Sequence, residues 1–449
     1  MIAKCLCILM FLLIYSPKIA GVYDSLAFFS FVIVLLALIT NSYKSLGVLP
    51  IKRITIYIIL FFTIALYVTL LRSVRGITDT YQTLRFLRCV INTAGVGALV
   101  ALYVKNYESH ASEKILRDIW LCIVFHGALI VLMFLIPPVN EFVVFHIRRI
   151  EPTGWQYQSM IQGSRISGLT SSWDATSGIQ VLGIVLMPAF IEKNNIFLKA
   201  LVVLISLFSM ALSGATGFVV LAFHSTVILL LWVNKNKEKK RSAVLKSNIG
   251  RTKKLTFSQI KKSFVSIMGI TVIVTFFVVI KILPNFTERV ENTSIARTAN
   301  MFLSNTGYEI QYNNRTNTTA ESTVRTIINM YFIPNSVDNF IYGKGGSGRR
   351  RDEYYIPADN GIVLNLHNLG FIMTIIMYII VLQELFVAFK YRISMPKVAF
   401  TTGIIVLTII MIDAKVQYLM ARNALSIMLL AVFAMWQGIR EVKINNAKI

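Results

Sequence analysis

The sequence Gly343-Lys344-Gly345-Gly346-Ser347-Gly348-Arg349-Arg350-Arg351, followed by Ala358-Asp359-Asn360-Gly361 and a mainly apolar run to Leu382, decides how this chain is read. It closes a polar stretch, roughly Pro284 to Pro357, in a chain otherwise built of apolar segments. A bilayer requires apolar segments of about 20 residues. One large loop returning to such a segment through Asp-Asn-Gly predicts chemistry at one membrane face.

Working outward, 55% of the 449 residues are hydrophobic and 15% charged, with a mean hydropathy of +0.66. Soluble domains carry about 25% charged residues, so the composition is that of a membrane protein. Spans are expected near 2–15, 23–40, 54–71, 86–104, 119–136, 175–191, 196–212, 218–233, 264–283, 360–382, 398–412 and 418–436. The expected fold is all-α: a polytopic bundle of about 12 spans with one large loop. It divides into residues 1–283 with nine spans, the loop 284–359, and residues 360–449 with three spans and a tail. Within the loop 284–359, the apolar segment Val324 to Ile333 is expected on the membrane surface or against the bundle. The first segment resembles a signal peptide, but cleavage after Ala20 would put Lys18 where a small residue belongs, so it reads as an uncleaved helix.

The net charge of +24 raises nucleic acid as a partner. Its distribution argues otherwise. With the N-terminus in the cytoplasm, alternation puts most of the Lys and Arg, and a minority of the acids, in the inner segments, as the positive-inside rule requires. Both termini are then cytoplasmic and the long loop is outside. The densest basic run, Lys235 to Lys262 within the loop 234–263, has no aromatic interleaving and reads as a topology anchor against anionic lipid. Cys5, Cys7, Cys89 and Cys122 lie in or against apolar segments and offer neither a disulfide framework nor zinc spacing. Four Asn-x-Ser/Thr triplets in the loop, at Asn285, Asn292, Asn314 and Asn317, are what its Asn and Thr content produces by chance.

Metal and nucleotide motifs are missing: there is no Asp-x-Asp, His-Glu-x-x-His or Walker loop, so neither a metal nor another cofactor is expected. The outer loops offer arginines instead: Arg148, Arg149, Arg165, Arg297, Arg315, Arg325 and Arg349 to Arg351. A guanidinium keeps its charge and binds phosphate oxygens bidentately, although each arginine could equally pair with a loop carboxylate. The glycines from Gly343 through Gly345 to Gly348 either let amides approach an anion or form a turn. Asp359 is either a helix N-cap or a general base for a sugar hydroxyl. Asn360 and His367 fall on one face of the following helix, His367 about two turns in, where polar residues face a cavity or another helix. Arg422 near the start of the last span pairs with Asp413, snorkels or binds ligand.

Four places resemble the O-antigen polymerase and ligase superfamily of bacterial envelope glycosyltransferases. Ser164-Arg165-Ile166-Ser167-Gly168-Leu169, with Gly178 beyond, is similar to its Arg-x-x-Gly start of a central helix. Leu212-Ser213-Gly214-Ala215-Thr216-Gly217 stands where many members have Ser-Arg-Gly; Ala215 or Thr216 replaces the arginine, so no phosphate role carries over there. Glu321-Ser322-Thr323-Val324-Arg325, then Gly343-x-Gly345, resembles Ser-x-x-Arg and Gly-x-Gly. Asp359-Asn360, nine residues, then Gly370 resembles the ligases' His-Asn/Ser/Gln-x9-Gly. Asp359 replaces the histidine proposed as the ligases' base, which favours polymerase over ligase.

The resemblance spans roughly 160–372. It implies a bundle of GT-C type in the bacterial inner membrane, with the active site on the periplasmic face. The implied reaction moves a growing glycan from undecaprenyl pyrophosphate to an incoming lipid-linked repeat unit, without metal. Asp359, Arg325 and Arg165 become the expected catalytic residues. Arg349, Arg350, Arg351, Gly343, Gly345, Asn360, His367 and Arg422 become the expected substrate-binding residues. Expected partners are the lipid-linked oligosaccharide, the bilayer and a polysaccharide chain-length regulator, with no nucleic acid. The alternatives are O-antigen ligase and a lipid-linked-oligosaccharide flippase or other transporter. Transporters of this size usually carry internal repeats and short loops, which this sequence lacks.

Overall fold

The computed structural model describes residues 2–20, 22, 24–148, 165–170, 172–192, 194–226, 328–350 and 354–447. The helices are α1 (Ile2–Tyr15), α2 (Ser25–Ile39), α3 (Val48–Val74), α4 (Tyr81–Tyr107), α5 (Ala111–Leu135), α6 (Pro137–Phe142), α7 (Trp173–Val185), α8 (Met187–Phe190) and α9 (Ile196–Ser213). They continue as α10 (Thr216–Thr226), α11 (Val337–Tyr342), α12 (Gly361–Lys390), α13 (Pro396–Asp413) and α14 (Arg422–Ala447). Two short strands, β1 (Arg349–Arg350) and β2 (Tyr354–Tyr355), pair antiparallel beside α12.

The described protein is all-helical in architecture, and six helical stretches are long and apolar enough to cross a membrane. One of these, Tyr81–Leu135, contains both α4 and α5, separated by a 3-10 turn at Glu108–His110. The chain thus has the helices of a multi-pass membrane protein. Most expected spans within the described residues overlap a single helix, but 175–191 is divided between α7 and α8, 218–233 is described only to residue 226, and the last helix begins at Arg422 rather than at 418. The expected span 264–283 lies outside the described residues, as do the basic loop 234–263 and the loop as far as residue 327.

Burial follows from side-chain pattern. The stretch Ala424–Met435 of α14 is buried all round, and α14 packs on α5, α4, α13, α3 and α1. A helix apolar on every face belongs at the centre of a bundle or against lipid, and here the small and aliphatic side chains of α14 occupy the centre. On α3, Tyr57, Phe61, Ile64, Ala65 and Val68 face the bundle, while Ile59, Phe62, Leu66 and Leu70 form an exposed apolar stripe.

The helix α12 is interrupted. Gly370 has φ 76° and ψ 173°, a conformation open in practice only to glycine. The break frees carbonyls of the preceding half-helix, and the glycine-rich loop fills it. Lys344 N–H donates to His367 O and Gly345 N–H to Asn368 O, each at 2.9 Å. The apolar segment before α11 packs on this half-helix rather than standing away. Asn360 Nδ2 donates to Met330 O at 3.0 Å, and Phe332 meets the His367 ring edge-on at 5.1 Å. Tyr331 donates its hydroxyl to Ala414 O, and burial pushes that phenol above its ordinary range, so it stays a donor.

The two ends of the bundle differ. At one end, Ser16, Arg85, Thr170 and Gln417 line one cavity, with Asp24, Asp79 and Asp359 beside it. At the other, Lys105 reaches Thr40 O, Arg440 reaches Ser45 O, and Lys397 pairs with Glu113 at 2.8 Å.

Candidate functional site

The first of these ends encloses a cavity of about 290 Å³. Its walls come from the end of α1, the start of α2, the start of α4, the loop before α7, and the connection from α13 to α14. Polar groups stand among apolar ones there: Tyr15, Arg85, Arg88, Asn92, Thr170, Gln417 and Asn423. Arg85 and Arg88, one helical turn apart, both turn to this cavity but differ electrically. Arg88 is held by Asp24 at 2.9 Å. Arg85 is buried and donates to Gln82 Oε1 at 3.2 Å.

Three connections build the walls. The loop before α7 is held by His126, which is fully buried and stacked on Tyr15 at 4.3 Å. Leu169 N–H donates to His126 Nε2 at 3.0 Å. That nitrogen is therefore the acceptor, and Nδ1 carries the proton. Nδ1 faces the Gln180 amide at 3.2 Å, whose oxygen, otherwise without a partner, receives the proton once the amide is turned. Gly168, at φ 58°, leaves room for this ring. The Arg-x-x-Gly motif thus supplies the glycine that lets the loop close on a histidine.

The connection from α13 to α14 is organised by Asp413, which is fully buried. Its carboxylate accepts from the Tyr378 hydroxyl, from Tyr418 N–H at 2.5 Å and from Leu419 N–H at 2.7 Å. A Cβ on Gly361 would overlap this carboxylate. Gln417 N–H donates to Asp359 O at 2.7 Å, and its side chain donates to Asn365 Oδ1 at 3.3 Å. The residues of Asp359-Asn360-Gly361 therefore have separate tasks. Asn360 caps α12 by accepting from Val363 N–H at 2.7 Å, Gly361 admits Asp413, and Asp359 offers its carbonyl to the cavity wall.

Asp79 makes the third connection. Its carboxylate accepts from Tyr81 N–H at 2.9 Å and from Ser347 N–H at 2.8 Å, tying the glycine-rich loop to the start of α4.

The expected site residues fall as follows. The cap of α12 is Asn360, so the cap reading of Asp359 is corrected; Asp359 is exposed one residue earlier. His367 is half-buried two turns into α12. Gly343 and Gly345 have φ of 78° and 88°, and the amides of Gly343, Lys344, Gly345 and Ser347 are all donated within the protein. The Arg165 guanidinium lies 5.0 Å over the Trp173 ring, on the same loop as Leu169 and Thr170 of the cavity. Arg148 is buried, and burial pushes its guanidinium down to about 10, so it stays charged at neutral pH. Arg349 and Arg350 pair with Tyr355 and Tyr354 through the backbone, and Arg422 opens α14. The side chains of these three arginines, and all of Arg325 and Arg351, lie outside the described residues.

Two pairs of motif segments are brought together. Ile166 N–H donates to Leu212 O at 3.1 Å and Ser213 Oγ to Ile166 O at 2.7 Å, while Thr216 Oγ1 donates to Asp174 at 2.7 Å. Gly343 packs on Gly370. The sequence reading missed Arg85, Arg88, His126 and Gln417, and named Asp413 only as a pairing partner for Arg422. The signal for the first two was present: two arginines at i and i+3 heading an apolar run share a helix face.

The chain matches no family model, no curated protein and no solved structure.

Proposed function

We propose that this protein is an O-antigen (surface polysaccharide) polymerase, a metal-independent glycosyltransferase of about 12 spans and GT-C-like fold in the bacterial inner membrane. The observation that supports this most is that the motif segments meet in two pairs, 165–170 with 212–217 and 343–348 with 367–370, while Leu169, Thr170 and Gln417, which donates to Asp359, line one polar cavity. The charge distribution argues that this end is periplasmic and both termini cytoplasmic.

In this reading, a hydroxyl of the incoming lipid-linked repeat unit attacks the anomeric carbon of the growing glycan. The bond from that carbon to undecaprenyl pyrophosphate breaks, and the hydroxyl proton passes to Asp359. The exposed position of Asp359 beside Gln417 of the cavity wall suits a base that meets an incoming acceptor. Arg165, Arg325 and Arg349 to Arg351 hold the departing pyrophosphate, whose developing charge needs fixed cations. The bilayer delivers both lipid-linked substrates, and a chain-length regulator is the expected protein partner.

The interrupted α12 is the feature that favours a transporter, since broken helices form ion sites in such proteins. Here Lys344 and Gly345 already occupy carbonyls at the break, which weighs against it. The deciding experiment complements a deletion strain with Arg165→Ala or Arg325→Ala. Polymerase predicts single repeat units on lipid A-core in place of long chains. Loss of all surface glycan, single units included, would indicate a ligase or flippase instead.

A further inference from the structure

Arg85 is 8% exposed, and among the described residues no carboxylate lies within ion-pair distance of it. Its one side-chain hydrogen bond, to Gln82, uses one of five N–H donors. A buried charge without a partner is costly enough that native proteins pair it or bind a counter-ion to it. Arg88 does not share the role, because Asp24 neutralises it. The cavity therefore presents one guanidinium with free N–H donors, which the Asp413 carboxylate influences from the wall without contacting it. That matches a monoanion such as a carboxylate, which a guanidinium binds through two parallel hydrogen bonds. A pyrophosphate diester carries two charges and calls for more than one free cation.

The rest of the wall suits hydroxyl groups. Gln417 and Asn423 donate their amide N–H groups to Asn365 and to Tyr418, at 3.3 Å and 2.8 Å. Their carbonyl oxygens find no partner among the described residues and can accept from hydroxyls. Tyr15 is 5% exposed, and its hydroxyl is buried without a partner. A volume of about 290 Å³ lies at the small end of the range for small-molecule sites and has room for about one pyranose ring.

We propose that this cavity seats one acidic sugar residue of the glycan substrate, with its carboxylate on Arg85. The inference rests on the polymerase reading for the identity of that substrate, and it assigns the pyrophosphate to other arginines.

The test uses the full-length protein in lipid nanodiscs and titrates three probes by ligand-observed NMR: a methyl uronide, the corresponding neutral methyl glycoside, and farnesyl pyrophosphate. The expected result is a preference of tenfold or more for the uronide over the neutral glycoside. Arg85→Gln should abolish that preference, and Arg85→Lys, which keeps the charge, should retain part of it. Thermal unfolding of both variants establishes that they are folded. Equal or absent binding of the two glycosides would overturn the proposal, as would farnesyl pyrophosphate binding that Arg85→Gln removes. Chain length in complemented cells is read separately. A uronide preference lost in Arg85→Gln, in a protein whose deletion leaves long chains intact, would sink the polymerase reading and leave the site standing. Long chains lost in Arg85→Gln with no uronide preference in the wild type would sink the site alone.

Discussion

Gly343 and Gly370 meet backbone to backbone: a Cβ on Gly343 would overlap Gly370 N, and one on Gly370 would overlap the carbonyl of Ile341. Both residues also have positive φ, 78° and 76°. Alanine at either position should destabilise the protein by at least the order of 1–3 kcal/mol that a strained left-handed backbone costs, with the overlap adding to it. Thermal unfolding in detergent should show both substitutions lowering the midpoint. The double variant should lose less than the sum, because the two residues share one contact.

A similar coupling is expected between Gly361 and Asp413. Gly361→Ala places a methyl group where the carboxylate sits. Asp413→Ala removes the acceptor of Tyr378, Tyr418 and Leu419, and each buried donor left unsatisfied costs about 1–3 kcal/mol. Asp413→Asn keeps an oxygen for the two N–H groups and should cost much less. In an Asp413→Ala background, Gly361→Ala should be tolerated better than in the wild type. Equal losses in both backgrounds would refute the steric account.

These two contacts also mark what the sequence could and could not convey. Runs such as Ile54 to Leu71 announce a membrane helix because length and apolarity alone decide it. The loop glycines were legible as a turn or an approach for an anion, but their packing partners were not. Nothing local links Gly361 to Asp413 or Gly168 to His126, since these pairings exist only once distant helices pack. Arg85 was hidden for a different reason: at the head of an apolar run it reads as a flanking charge. Only its burial, with Arg88 turned to Asp24, makes it unusual. The glycine-rich loop looked like an anion cradle, and in the fold its amides serve the break in α12.

At the far end of the bundle, Arg53 pairs with Glu384, with Nη2 to Oε1 at 2.6 Å and Nε to Oε1 at 2.7 Å. Trp436 Nε1 donates to the other oxygen at 2.9 Å, and the guanidinium lies 4.8 Å over the Trp436 ring. Removing one partner of such a pair leaves a buried charge and costs about 3–5 kcal/mol. Arg53→Met and Glu384→Gln should each lower the unfolding midpoint strongly, and Arg53→Met with Glu384→Leu should recover part of the loss, since Trp436 Nε1 and the Tyr57 hydroxyl lose their acceptor. Because this cluster stands away from the cavity, the proposed polymerase function predicts that the double variant still makes long glycan chains. Loss of long chains in a stable double variant would give the pair a functional role.

Asp359→Asn separates the roles of two adjacent residues. The helix cap is Asn360, whose side chain accepts from Val363 N–H, and the contact of Asp359 with the cavity wall is made by its backbone carbonyl. Removing the Asp359 charge therefore leaves the cap and the wall contact in place. If its carboxylate removes the acceptor proton, long glycan chains should disappear while the protein stays folded in the membrane. Asn360→Ala should behave in the opposite way, lowering stability by about 1 kcal/mol for a lost cap, and should shorten chains only as far as the start of α12 loosens. Normal chain length in Asp359→Asn would remove Asp359 from the mechanism and return the search for the base to the cavity itself.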